Sequence, residues 1–201
     1  MRLRAFGVVL LAGLLASCQN SEVARLNNPN TPYLAGNGDN TLPPGSNGYD
    51  PISYWDGDGI QGNPLVVIYL NEQRAYFYKG DQLVGVSQIS AGREGYDTPP
   101  GNYRIMQKDV GHVSSLYGDY VDAAGNIIKK DVSVQKDPKP PGAIFKGAPM
   151  PYFMRITGGV GMHEGYLPGY PASHGCIRMP GKMAQIFFAN VNVGTPVTVY
   201  R

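Results

Sequence analysis

The sequence predicts a mainly β domain over residues 64–201, with a single helix near its C-terminus. Three observations carry this. The 27 glycines and 17 prolines make up about 22% of the 201 residues, against roughly 12% in an average protein, which predicts many turns and excludes a long helical bundle. Short β-branched runs separated by turn residues recur from Pro64 onward. Helical periodicity is found in one place, after Pro180.

The first strand is the apolar run Leu65 to Leu70. Ala75 to Tyr78 and Leu83 to Ile89 follow, split by Lys79-Gly80-Asp81-Gln82, whose Gly-Asp pair between β-rich segments is a hairpin signal. Pro99-Pro100-Gly101 makes a rigid turn into a strand at Gly101 to Gln107. Residues 108–151 are polar and rich in Pro and Gly, and are expected to form a long irregular insertion, of the kind that serves as a lid or binding loop. Tyr152 to Thr157 reads as a strand. Pro180 suits a first helical position. Met183, Ile186, Phe187 and Val191 then fall on one helical face, Gly194 ends the helix, and Pro196 to Tyr200 is a closing strand.

Composition narrows the function classes. The formal charge of +2 argues against nucleic-acid binding by bulk charge. Two cysteines cannot build a disulfide scaffold or a Cys₄ metal site, and three histidines leave few routes to a metal enzyme.

The N-terminus reads as an address. Arg2 and Arg4 precede an uncharged run from Phe6 to Ala16, too short to span a bilayer and suited to a signal-peptide core. The run ends in Leu15-Ala16-Ser17-Cys18, which resembles the lipobox of bacterial lipoproteins. That resemblance implies a signal peptide over 1–17, lipidation of Cys18 and several acyl chains, enough for a stable anchor. Gln19 after the cysteine points to the outer membrane. Residues 18–63 are dominated by Asn, Gly, Pro, Asp, Thr and Ser and read as a tether. Its flexible stretch would span on the order of 35–40 Å. Tyr49 to Trp55 are candidates to pack on the domain.

The chemistry concentrates in Ser173-His174-Gly175-Cys176-Ile177-Arg178-Met179, with His163 upstream. A lone Cys is most often a small buried hydrophobe, and a lone His most often a structural hydrogen-bonder. A His-Gly-Cys run is poor core composition, however. Gly175 permits a turn that a Cβ would forbid, and a second His in reach of Cys176 can take the thiol proton. A metal reading uses His163, His174 and Cys176 with His112 as a fourth ligand, but the spacing matches no zinc pattern. A serine nucleophile lacks the G-x-S-x-G motif.

Met162-His163 followed by the Ser173–Met179 segment resembles the signature of the L,D-transpeptidase catalytic domain (YkuD) family. Thr98-Pro99-Pro100-Gly101-Asn102-Tyr103 resembles its TPxGxY/F segment, with Ser90-Ala91-Gly92 before it. Met150-Pro151-Tyr152-Phe153-Met154-Arg155 resembles the stretch leading to its His strand. The resemblance covers about 64–201 and implies a β-sandwich-like catalytic fold. It implies Cys176 as nucleophile and His163 as general base and then acid. Gly175 and Cys176 would offer N–H groups to an oxyanion, and Ser173 and His174 would shape the loop. Arg178 would meet a substrate carboxylate, the alternative being a salt bridge within the fold. Tyr152 is a further candidate at the substrate, with core packing as its alternative. The family orients its His by the next residue's carbonyl; here that residue is Glu164, whose carboxylate departs from the usual Gly or Ser. It would stabilise an imidazolium or point to solvent.

The implied reaction is acyl transfer through a thioester, from a peptidoglycan stem tetrapeptide to an amine of a second stem or of a protein, or to water, with no cofactor. The expected setting is the periplasm, lipid-anchored at the outer membrane. Two alternatives stay open: a carboxypeptidase or other hydrolase on the same fold, and a non-catalytic wall-binding lipoprotein.

Overall fold

The computed structural model describes residues 52–201. The signal segment, Cys18 and the tether up to residue 51 lie outside the described residues. The strands are β1 (Tyr54–Trp55), β2 (Pro64–Tyr69), β3 (Arg74–Lys79), β4 (Gln82–Gln88), β5 (Gly101–Arg104), β6 (Gln107–Asp109), β7 (Val113–Val121) and β8 (Ile127–Ser133). They continue with β9 (Ile144–Pro149), β10 (Phe153–Thr157), β11 (Val160–Glu164) and β12 (Ile177–Met179); helix α1 (Gly181–Asn190) and β13 (Pro196–Tyr200) close the chain.

Two sheets share one core. The six-stranded sheet runs β1-β4-β3-β2-β13-β5 and the four-stranded sheet β12-β11-β10-β6. Val66 and Ile68 of β2 point inward while Leu65 and Val67 are only half-buried, the period-2 pattern of a strand with one covered face. From the second sheet come Met154, Ile156, Met162, Ile177 and Met179, and from α1 Met183, Ile186 and Phe187, all in the same cluster. Phe77 joins the layers, edge-on to both Trp55 (5.1 Å) and Phe187 (5.0 Å). The mainly β fold with one helix is as expected from the sequence.

Several expectations are corrected. The strand expected at Gly101–Gln107 is two strands in different sheets. Ile105 donates to Thr195 and Met106 to Arg155, so successive N–H groups hand the chain from one sheet to the other while Ile105 enters the core. Pro180 caps α1 from outside, with extended ψ of 140°. The helix stops at Asn190, because Val191 turns extended to bury its side chain; Gly194 serves the later turn into β13.

The expected irregular insertion is a three-stranded antiparallel sheet, β8-β7-β9, with a small core of Tyr120, Val132, Ala143 and Phe145. Most of β8 is exposed, so it carries no alternating pattern to read. Gly118 and Gly147, which read as breakers, are what let β7 and β9 approach. A Cβ would lie 2.1 Å from the Lys146 carbonyl oxygen at Gly118, and 2.0 Å from that of Ser114 at Gly147.

The folded unit also begins before Pro64. β1 pairs with β4, and Trp55 is 2% exposed, its indole N–H donating to Asp58 at 2.8 Å. Trp55→Ala is therefore expected to destabilise the domain by about 3–5 kcal/mol. Denaturant unfolding followed by circular dichroism measures it; an unchanged midpoint would mean that this segment contributes nothing to the core.

Candidate active site

Strands β11 and β12 run parallel, with Met162 opposite Ile177, His163 opposite Arg178 and Glu164 opposite Met179. Met162, Ile177 and Met179 are fully buried in the core. By the strand period, His163 and Arg178 occupy the opposite face, and Cys176 lies in the turn that leads into β12, close enough to Arg178 to feel its charge, as His163 does. Residues thirteen apart in sequence are thus brought around one guanidinium.

His163 is 5% exposed. Its Nδ1 lies 2.6 Å from the Glu164 carbonyl oxygen. A carbonyl only accepts, so Nδ1 carries the proton, and in the neutral ring Nε2 holds the free lone pair. Burial pushes the imidazole down to about 4; the bond to Glu164 opposes this, and Arg178 and then His112 add to it. The ring is neutral at pH 7 and fixed as a base.

The carboxylate of Glu164 points the other way. It lies over Gly181, the first residue of α1, where a Cβ would sit 3.0–3.3 Å from its carboxyl atoms. The helix has no acid in its first turn and no side-chain cap, so Glu164 supplies the negative charge its N-terminus favours. The departure from the family pattern serves the helix, not the imidazole.

Cys176 is half-buried, and its thiol reaches the Gly159 carbonyl oxygen at 3.5 Å. Burial raises the thiol above its ordinary range, partly offset by the Gly161 N–H, Arg178 and Arg155. The sulfur is therefore protonated at neutral pH and needs a base to ionise it.

The turn before Cys176 is locked on itself and on the 90–98 segment. Gly175 has φ of 109°, which side chains rarely adopt. Its N–H donates to Ser173 Oγ at 3.0 Å, and Ser173 Oγ–H donates to the Cys176 carbonyl. This corrects the expectation that Gly175 offers its N–H to an oxyanion; Ser173 holds it, leaving the Cys176 N–H as the donor that Ser173 does not claim. Thr98, from the Thr-Pro-Pro-Gly segment, donates to the Gly175 carbonyl at 2.8 Å and accepts the Gly92 N–H at 2.9 Å. Ala91 and Arg93 add backbone bonds to Ser173.

His174 is a fixed acceptor. Arg93 Nη2 lies 2.7 Å from its Nε2. Guanidinium only donates, so Nε2 is unprotonated and the ring neutral. Burial and then Arg93 lower its basicity. Its face stacks on Tyr117 (centroids 4.3 Å, 18°) and its edge meets Tyr96 (4.7 Å, 82°).

Arg178 is half-buried, its stem crossing Gly165 where a Cβ would lie 3.0 Å away. Among the described residues its guanidinium makes no ion pair and no hydrogen bond, so the alternative of an internal salt bridge does not hold there. Its donors face the same surface as Cys176. Tyr152 is placed elsewhere. With φ of 56°, it packs on Phe188 of α1 (5.8 Å) and against the core, and is not brought to the Cys176 face.

Sequence reasoning missed Arg93, Tyr96, Tyr117 and Arg155. Arg155 stands opposite Gly161 on β10, bonded to Gln107 and the Gly158 carbonyl, and lends positive charge to the Cys176 surroundings. Arg93 directly follows Ser90-Ala91-Gly92 and was findable by that adjacency; Tyr117 had no local signal. Of the residues weighed as metal ligands, His112 pairs with Asp109 at 3.1 Å and stacks on Phe153. The described residues hold no group of three His, Cys, Asp or Glu arranged for a metal.

Solved structures share this fold. An L,D-transpeptidase from Mycobacterium smegmatis superposes with TM-score 0.52 at 19% identity, over 69% of this chain and 59% of that one. L,D-transpeptidase 1 of Mycobacterium tuberculosis gives 0.51 at 21%, over 69% and 62%. A C442S mutant of the Enterococcus faecium L,D-transpeptidase gives 0.52 at 23%, over 70% and 50%. The chain thus spans less than two thirds of each. No curated protein matches it. A sequence model of the L,D-transpeptidase catalytic domain matches residues 63–199, and by that match the chain belongs to the YkuD family of L,D-transpeptidase catalytic domains.

Proposed function

We propose that this chain is a cysteine-dependent acyltransferase acting on peptidoglycan stem tetrapeptides. The observation that carries it is the placement of Cys176 in the turn that leads into β12, the strand paired with the one carrying His163, with His163 held in its basic tautomer by the Glu164 carbonyl. In the first half-reaction the Cys176 proton passes to His163 Nε2 as Sγ attacks the carbonyl carbon of the diamino acid. The C–S bond forms, and the Cys176 N–H, which Ser173 leaves unclaimed, is the donor offered to the developing oxyanion. The imidazolium returns the proton to the D-Ala nitrogen, the C–N bond breaks, and D-Ala leaves a thioester. In the second, an amine attacks the thioester, His163 accepts its proton, and the restored thiol takes it back. Arg178, with its donors unengaged, is the group to receive a substrate carboxylate.

Purified protein incubated with tetrapeptide muropeptides and read by mass spectrometry tests this. A cross-linked dimer that has lost D-Ala is the expected product. A water-added monomer would make the chain a hydrolase, and no change in mass would leave a wall-binding protein.

The same reading puts the domain in the periplasm, anchored through Cys18 to the outer membrane. Cys18→Ser is expected to move the protein from the membrane to the soluble fraction with the domain still active. Membrane retention of the variant would refute the anchor.

A further inference from the structure

The inserted β7-β8-β9 sheet meets the catalytic turn at one aromatic contact. Tyr117 lies flat against His174, the residue before Gly175 and Cys176. It is held from its own side, its N–H donating to Ser114 Oγ at 3.0 Å. The same imidazole is met at its edge by Tyr96 and at Nε2 by Arg93. Lys136, also from the insertion, donates to the Tyr96 hydroxyl at 3.1 Å, and its ammonium lies 4.9 Å from that ring. His174 is thus confined on three sides, and two of those sides belong to the 90–98 segment that also carries Thr98. The third comes from 113–149, a sheet with its own small core.

A ring so confined fixes the backbone to which it is attached. The turn that follows, with one strained glycine, is held by the Ser173 hydroxyl and by the Thr98 hydroxyl on the Gly175 carbonyl. We propose that Tyr117 is a positioning residue: by stacking on His174 it makes the inserted sheet a wall of the catalytic turn and holds the Cys176 N–H where an oxyanion forms. This rests on the acyl-transfer reading above. The stack uses the ring and not the hydroxyl, so Phe is the conservative replacement. Misplacing a donor by an ångström costs acyl transfer about a hundredfold, whereas alkylation of the same sulfur, in which a C–S bond forms and iodide leaves, develops no oxyanion.

The test compares full-length wild type, Tyr117→Phe, Tyr117→Leu and Tyr117→Gln. Acylation is followed with a chromogenic β-lactam and with the tetrapeptide donor, and alkylation with iodoacetamide, each read at Cys176 by peptide mass. Tyr117→Leu and Tyr117→Gln are expected to acylate about 10- to 100-fold more slowly with alkylation unchanged, and Tyr117→Phe to match wild type. Gln is the second variant because a half-exposed strand position carries a polar chain without harm to the fold. Equal acylation in all four proteins would overturn the inference, as would a parallel loss of both reactions. Absence of acylation at Cys176 in wild type would overturn the acyl-transfer reading, and the inference with it.

Discussion

Cys176→Ala is expected to abolish acyl transfer, a fall of about 10⁵-fold or more if the sulfur is the nucleophile, while the unfolding midpoint stays close to that of the wild type. The two halves of this expectation have separate causes. The chemical half follows because no other group on the shared face of β11 and β12 can form the acyl bond: His163 and Arg178 are a base and a cation, and Ser173 Oγ is engaged with the Cys176 carbonyl and the Gly175 N–H. The structural half follows because the side chain is half-buried and its sulfur meets only backbone groups weakly, the Gly159 carbonyl at 3.5 Å and the Gly161 N–H. Ala removes one sulfur and keeps the backbone of a turn held by Ser173 and Thr98. Product formation from muropeptides, and β-lactam adduct mass on the intact protein, measure the first half; thermal unfolding measures the second. Residual turnover above about a thousandth of wild type would remove the cysteine from its role.

Legibility in the sequence followed burial on one face. Strands β2 and β3 and helix α1 each cover one side against the core, so Val66, Ile68, Phe77, Met183, Ile186 and Phe187 stand out by period. Strand β11, Val-Gly-Met-His-Glu, lacks that signature: its inward residue Met162 is flanked by a glycine and by the histidine of the opposite face. The insertion escaped because its strands are mostly exposed and two of its glycines, Gly118 and Gly147, serve close strand approach rather than turns. Two tyrosines of β7 make the point most directly. Tyr120 fills the small core, with its hydroxyl on the Asp137 carbonyl, and Tyr117 stacks on His174. A register shift between Gly118 and Tyr120 separates the two roles, and nothing local in the sequence marks it. In the site, the residues of the Cys segment were legible because the motif names them. What they do was less so. The Gly175 N–H, expected at the oxyanion, is held by Ser173, and the Glu164 carboxylate, expected at the imidazole or in solvent, lies over the first residue of α1.

The electrostatics of His163 set the second large expectation. The folded ring has its basicity pushed down from 6.5 to about 4, chiefly by burial. Between those values the unfolded chain binds a proton that the folded chain refuses, so stability rises with pH across the window. The contribution is fully present above about 6.5 and is lost as pH falls toward 4, roughly 3 kcal/mol in all. His163→Asn keeps an N–H at the Nδ1 position for the Glu164 carbonyl but cannot titrate. It is expected to flatten the pH dependence of stability between 6.5 and 4, and to lower kcat by about 10²–10⁴, as loss of a general base does. In the wild type, the acid limb of the kcat/KM profile should lie well below pH 6.5, because the base stays neutral where an exposed histidine would be charged. The raised Cys176 thiol complements it: the resting pair is thiol and imidazole, not thiolate and imidazolium. The rate of alkylation of Cys176 by iodoacetamide should therefore keep climbing with pH past 9. A plateau at neutral pH would mean a preformed ion pair, and with it a His163 far more exposed to water than its 5% accessibility allows.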